Sequence, residues 1–241
     1  RTRWQNEKGS QQVTAPVSLI VTAFASIADV RGTLTPQLQP GDTTLVHIDL
    51  GQGRRRMTGS MLAQVLGQFG CHEKDGVPDL DDAQQLRSLV TAVNAPRAQG
   101  RVLAYHDVSD GGLWATVCEM AFAGHLGVSL NVDMLVTEGD GIADSRAEYG
   151  DSKNWATQVS ERRNELTLKA LFAEEPGVVI QVPTAVRNEV IATLREHGLS
   201  RHAHFVGKPN ERSVVAVWRD AKCQSSSDLP TLHQQWDEVS W

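Results

Sequence analysis

Cysteine is scarce in this 241-residue sequence: Cys71, Cys118 and Cys223 are too few and too widely spaced for a disulfide framework. No CxxC pair offers zinc a site, so the cysteine pattern fits a reducing, cytoplasmic setting. Uninterrupted apolar stretches of membrane-spanning length are also missing. So is any excess of basic residues. Lys and Arg number 23 against 29 Asp and Glu, and the net charge of −6 has the wrong sign for a nucleic-acid or anionic-membrane surface. No internal repeat or low-complexity block stands out. The polar start Arg1-Thr2-Arg3-Trp4 is neither a signal peptide nor an initiator-Met terminus, so the expectation is a piece cut from something longer.

What is present is a chain with 40% hydrophobic residues, long enough to bury the core of one large domain. Its chemistry concentrates in Tyr105-His106-Asp107-Val108-Ser109-Asp110-Gly111-Gly112-Leu113. Arg101 to Tyr105 reads as a short buried strand, and Leu113, Val117, Met120 and Ala121 repeat at helical spacing as far as Gly124. The stretch is therefore a strand-to-helix turn. Helix starts leave N–H groups open, and Gly111 and Gly112 carry no Cβ to keep a phosphate oxygen away from them. Asp107 and Asp110 would repel a bare phosphate, so the combination calls for a hard cation such as Mg²⁺ between carboxylate and phosphate. The bland alternative is that Ser109 or Asp110, the latter preferred, caps the helix and the glycines make a tight turn.

Elsewhere, Val17 to Phe24 reads as a strand and Ala28 to Pro40 as a connection. Thr43 to Leu50 is a strand. Arg54-Arg55-Arg56 ahead of Thr58-Gly59-Ser60 reads as a solvated basic loop, with phosphate binding as the lesser reading. Helices are expected from Met61 to Phe69 and from Leu86 to Val93, the second ending at Pro96. Val128 to Val132 and Val178 to Val182 are strands, and Val186 to His197 is a helix stopped by Gly198. Two strands follow, His202 to Gly207 and Ser213 to Trp218, with His202 and His204 on an exposed face. Residues 133–166 lack apolar periodicity and read as a weakly ordered surface insertion; Asp140, Asp144 and Asp151 there do not have calcium-loop spacing. Residues 221–241 read as a polar connector. The order of elements is that of a layered α/β fold.

The HDVSDGGL string resembles the corresponding segment of the large form of phosphoribosylformylglycinamidine synthase. So do Val13-Thr14-Ala15-Pro16-Val17-Ser18-Leu19, Leu34-Thr35-Pro36-Gln37-Leu38, Ile48-Asp49-Leu50-Gly51, Gly59-Ser60-Met61-Leu62-Ala63-Gln64-Val65, Glu119-Met120-Ala121-Phe122-Ala123-Gly124 and Gly177-Val178-Val179-Ile180-Gln181-Val182, in the family's order. Thr58 stands where that family has a glycine, and Pro96 interrupts a helix that it continues. The resemblance implies an aminoimidazole ribonucleotide synthetase C-terminal-like α/β domain over 41–220. Residues 1–40 would then end a preceding subdomain, and 221–241 would lead toward a glutaminase domain. It implies ATP-dependent conversion of formylglycinamide ribonucleotide and glutamine to formylglycinamidine ribonucleotide, with Asp107 as a Mg²⁺ ligand and Ser109, Gly111 and Gly112 as contacts to ATP or ADP. The catalytic His, the remaining metal ligands and the glutaminase Cys-His-Glu would belong to other parts of that enzyme. Cys71, beside His72, lacks the glycine-bounded turn of a glutaminase nucleophile, so this chain alone is expected to be inactive. Two rivals are a non-catalytic nucleotide-binding or interaction module of the same fold, and another ATP-using enzyme of the superfamily, such as a selenophosphate synthetase or hydrogenase-maturation relative.

Overall fold

The computed structural model describes residues 2–13, 20–68, 70, 76–137 and 152–238, without the side chains of 152–158 and His202. It divides into two compact units, residues 1–31 and 32–241. In the first, β1 (Thr2–Asn6) and β2 (Gly9–Val13) form an antiparallel hairpin, which the sequence did not suggest. The strand expected over Val17 to Phe24 is not found where it can be seen: residues 20–24 have no regular structure, and 14–19 lie outside the described residues.

The second unit is built on a seven-stranded sheet in the order β4-β6-β3-β7-β5-β8-β9. The strands are β3 (Thr43–Asp49), β4 (Ala104–Asp107), β5 (Gly127–Asn131), β6 (Gly177–Pro183), β7 (Ala203–Asn210), β8 (Val214–Arg219) and β9 (Lys222–Asp228). All neighbours are antiparallel except β5 and β8. The helices are α1 (Met61–Val65), α2 (Ala83–Ala98), α3 (Gly112–Gly124), α4 (Asp133–Thr137), α5 (Ser152–Phe172), α6 (Arg187–Glu196) and α7 (Leu229–Glu238).

Strand alternation sorts these helices into two layers, because successive side chains leave opposite faces of a sheet. Val46, Ile48, Val178, Ile180 and Val182 meet Leu89, Ala92 and Val93 of α2 and Val190 and Leu194 of α6. Leu45, Val128, Leu130, Val179, Val206, Val215 and Val217 meet α3, α4 and the end of α5 on the other face. The interior strand β3 is buried along its whole Thr-Thr-Leu-Val-His-Ile-Asp run, on both faces of the sheet.

Several expectations give way. The proposed weakly ordered insertion holds α4, with Leu135 and Val136 buried, and most of α5; residues 138–151 lie outside the described residues. Tertiary burial supplies here what local periodicity did not show. The polar tail forms edge strand β9 and helix α7. α1 is only five residues long, and α2 runs two residues past Pro96, whose lost N–H forfeits one bond while its ring is buried. His204 is 8% exposed and lies opposite His47 across the β3–β7 ladder, so it does not belong to an exposed strand face. No described helix is long and apolar enough to cross a membrane.

Candidate functional site

β4 runs two residues further than its apolar sequence suggested, because Asp107 still pairs with Val178 of β6. His106 and Asp107 are thereby strand residues with opposite faces. Asp107 shares the face of Tyr105, whose hydroxyl donates to Asp107 Oδ1 at 2.7 Å. Burial first, and the carboxylate second, push the Tyr105 hydroxyl up, so it stays a donor. The other Asp107 oxygen has no partner among the described residues, and the residue is exposed. His106 faces α3, where its Nε2 lies 2.9 Å from Glu119 Oε2.

After β4 the chain turns sharply. Gly112 N donates to Ser109 O at 2.9 Å, and Gly111 and Gly112 have φ of +90° and +71°. Gly111 is the N-cap of α3 and the cap makes no side-chain hydrogen bond. Neither Ser109 nor Asp110 is therefore the cap. Asp110 is exposed and makes no hydrogen bond or ion pair among the described residues. Ser109 Oγ donates to Glu119 Oε2 at 2.9 Å, and Ser109 N donates to Thr116 Oγ1 at 3.0 Å. A Cβ on Gly112 would come within 2.7 Å of Ala173 O and 2.8 Å of Leu171 O, so this glycine lets the turn pack against the end of α5.

Two adjacent carboxylates in the loop before β6 pin the surroundings. Glu174 Oε1 accepts from Gly111 N at 2.8 Å and from Met61 N at 2.7 Å, joining the turn to the start of α1. The N–H groups that the sequence offered to a phosphate are thus occupied here, by Glu174 at Gly111 and by Ser109 at Gly112. Glu175, 5% exposed, receives Arg56 Nε at 2.8 Å and Nη2 at 2.7 Å. Arg56 also reaches Asp81, and Arg54 pairs with the same residue at 2.8 Å. The arginine loop is an ion-pair clasp and not a solvated basic loop. Ser60 ends it as the N-cap of α1.

Beneath this clasp, His47, Asp49, Arg55, Lys169 and Glu175 line a cavity of about 10 Å³, room for one water. Asp49 accepts from Gly51 N at 2.7 Å and Gly53 N at 3.0 Å. Burial lowers His47 to about 4, against the opposing pull of Asp49, and its Nδ1 has no partner among the described residues.

The sequence reading missed Glu119, Glu174 and Glu175. For Glu119 a signal was available: Gly112, Thr116 and Glu119 fall at i, i+4 and i+7 on a helix that is otherwise apolar.

The sheet, its two helical layers and the turn leading into α3 coincide with a known domain. Residues 40–219 match the family described as AIR synthase related protein, C-terminal domain. The chain belongs to this family. The expected aminoimidazole ribonucleotide synthetase C-terminal-like α/β fold is thereby established. Among solved structures, T. maritima PurL complexed with FGAR matches over 84% of this chain and 30% of its own, at 13% identity and a TM-score of 0.58. T. maritima PurL complexed with ATP matches over 84% and 27%, at 12% identity and 0.56. E. coli HypE matches over 82% and 52%, at 22% identity and 0.49. Likeness at these identities concerns the fold. This chain spans less than a third of the length of the PurL chains.

The residues of this AIR synthase related domain fit a Mg-nucleotide only in part. Asp107 has one carboxylate oxygen without a partner among the described residues, and a hydrated Mg²⁺ would need such an oxygen together with further ligands. Among the described residues no group of three His, Cys, Asp or Glu is placed to hold a metal ion. Asp107 alone would not complete a metal site, and the described residues group no two further ligands of these types with it for that purpose.

Proposed function

We propose that this chain is part of an ATP-dependent carbon–nitrogen ligase that converts formylglycinamide ribonucleotide and glutamine to formylglycinamidine ribonucleotide in purine biosynthesis. Its contribution is one side of a Mg-nucleotide site formed by Asp107 and Ser109 and shaped by Gly111 and Gly112, whose N–H groups are held within the turn and by Glu174. The observation that carries the reading is the turn itself: β4 delivers an exposed, half-engaged carboxylate next to a hydroxyl held by Glu119, at the start of α3. The fold likeness to PurL structures complexed with ATP and with FGAR supports it. In this reading glutamine hydrolysis and the catalytic His belong to other parts of a longer, cytoplasmic enzyme, and the missing synthase and glutaminase domains are its partners.

Bound Mg²⁺ would supply positive charge between carboxylate and phosphate. The chain's own residues do the rest. Asp107 is oriented by Tyr105, Ser109 by Glu119 and Thr116, and the turn is locked by Gly112 against α5.

The test compares Asp107→Asn with Asp110→Asn for Mg-ADP binding and for the rise in Tm on adding it, since a ligand of the native state stabilises by mass action. Asp107→Asn is expected to lose the Mg²⁺-dependent part of binding, and Asp110→Asn to retain most of it. Equal, undiminished binding in both would remove Asp107 from the site and leave a turn without a ligand.

A further inference from the structure

The proton positions around Ser109 can be counted. Its hydroxyl has one proton, and its oxygen lies 2.9 Å from Glu119 Oε2. Glu119 is held below the usual carboxylate range, chiefly by His106, with Ser109 and a side-chain hydrogen bond from Trp236 adding to the effect against the cost of burial. As a carboxylate it has no proton to give, so the Ser109 proton must lie on the Ser109–Glu119 line. Thr116 cannot reverse this. Its own proton goes to Gly112 O at 3.0 Å while its oxygen accepts from Ser109 N at 3.0 Å. The 3.2 Å approach of the two hydroxyl oxygens is then a packing contact. What Ser109 has left to offer is lone pairs.

We infer that Glu119 is a positioning residue that fixes Ser109 as a hydrogen-bond acceptor, so that this turn recognises a donor on its ligand and not a phosphate oxygen. The ligand groups of that class are a sugar hydroxyl, a base amino group or a water carried by a cation. The neighbouring groups agree in sign. Asp107 and Asp110 are exposed carboxylates on either side of Ser109 in the chain, and the Gly111 N–H is held by Glu174. The arrangement is braced from the C-terminal side, where His233 of α7 stacks on Phe122 at 4.9 Å and Trp236 of α7 reaches Glu119. This inference rests on the proposed nucleotide site for the identity of the ligand, but the direction of the proton stands without it.

The experiment follows the Glu119 carboxyl carbon by NMR as pH falls, in the full chain, for the parent, Ser109→Ala and Trp236→Phe. Ser109→Ala is expected to raise the Glu119 midpoint, because a donor to its charged form is lost; Trp236→Phe should raise it as well from the opposite side. The same samples are then titrated with Mg-ADP and with inorganic phosphate. Mg-ADP should shift the Ser109 amide and bind about fivefold more weakly in Ser109→Ala, the loss of one neutral hydrogen bond, while inorganic phosphate should leave that amide unmoved. An unchanged Glu119 midpoint in Ser109→Ala overturns the inference, as does inorganic phosphate whose binding at the turn depends on the Ser109 hydroxyl. If neither probe moves the turn but the midpoint rises, the proton assignment stands and the nucleotide reading fails.

Discussion

Replacing Gly112 with Ala tests how the turn is held. Gly112 is buried, has a φ of +71°, and would place its new Cβ 2.7 Å from Ala173 O, 2.8 Å from Leu171 O and 2.8 Å from Phe172 C. The left-handed backbone alone costs an alanine about 1–2 kcal/mol. The three near atoms are all backbone, at the point where α5 ends, so relief requires moving α5 or the turn. Overpacking of this kind costs about another 1–3 kcal/mol. The sum, about 2–5 kcal/mol, corresponds to a fall in Tm of roughly 5–15 °C for a domain of this size. Gly198→Ala separates the two contributions, since Gly198 has a φ of +78° and nothing within 4 Å of its Cβ position. It should lose only the backbone share. Thermal melting followed by far-UV circular dichroism gives both values, and equal losses in the two variants would refute the argument that Gly112 is required by close packing.

Three further outcomes follow from the geometry. Glu175→Ala removes the buried one of the two carboxylates that grip Arg56 and leaves Asp81, so it should cost about 1.5–3 kcal/mol in urea unfolding, whereas Asp110→Ala, exposed and unpaired, should cost under about 0.5. Burial pushes the Cys118 thiol up to about 12, while Cys223 is exposed; in a Cys71→Ser background, iodoacetamide at pH 8 should modify one thiol in the native chain and two after unfolding. His47 is lowered to about 4 from 6.5, so its contribution to stability is complete above pH 6.5 and declines as pH falls toward 4. His47→Leu should therefore lose less stability than the parent between pH 7 and 4.5, measured by urea midpoints at both values.

The parts of the fold visible in the sequence are those whose burial is recorded residue by residue. β3 and β6 are Val- and Ile-rich because both faces are covered, and α6 shows its inward Val190 and Leu194 at helical spacing. The illegible parts depend on partners. β9 reads Lys-Cys-Gln-Ser-Ser-Ser-Asp, polar on both faces, and is a strand only because β8 offers it an edge. The extension of β4 through His106 and Asp107 follows from pairing with β6, which no local pattern announces. At the site, the turn glycines and acids stood out in sequence, but their bonding did not. Glu119 and Glu174 lie 10 and 65 residues from Ser109 and bind it and its neighbours only after the sheet has brought α3 and the loop before β6 together.

The central claim, that the turn between β4 and α3 is a Mg-nucleotide site, is tested most directly by an amide NMR map of the chain during titration with Mg-ADP. The account predicts that the largest shifts fall on Val108 to Leu113 and that they weaken in Asp107→Asn. Absence of any shift there up to about millimolar nucleotide, or shifts confined to another surface, would contradict it.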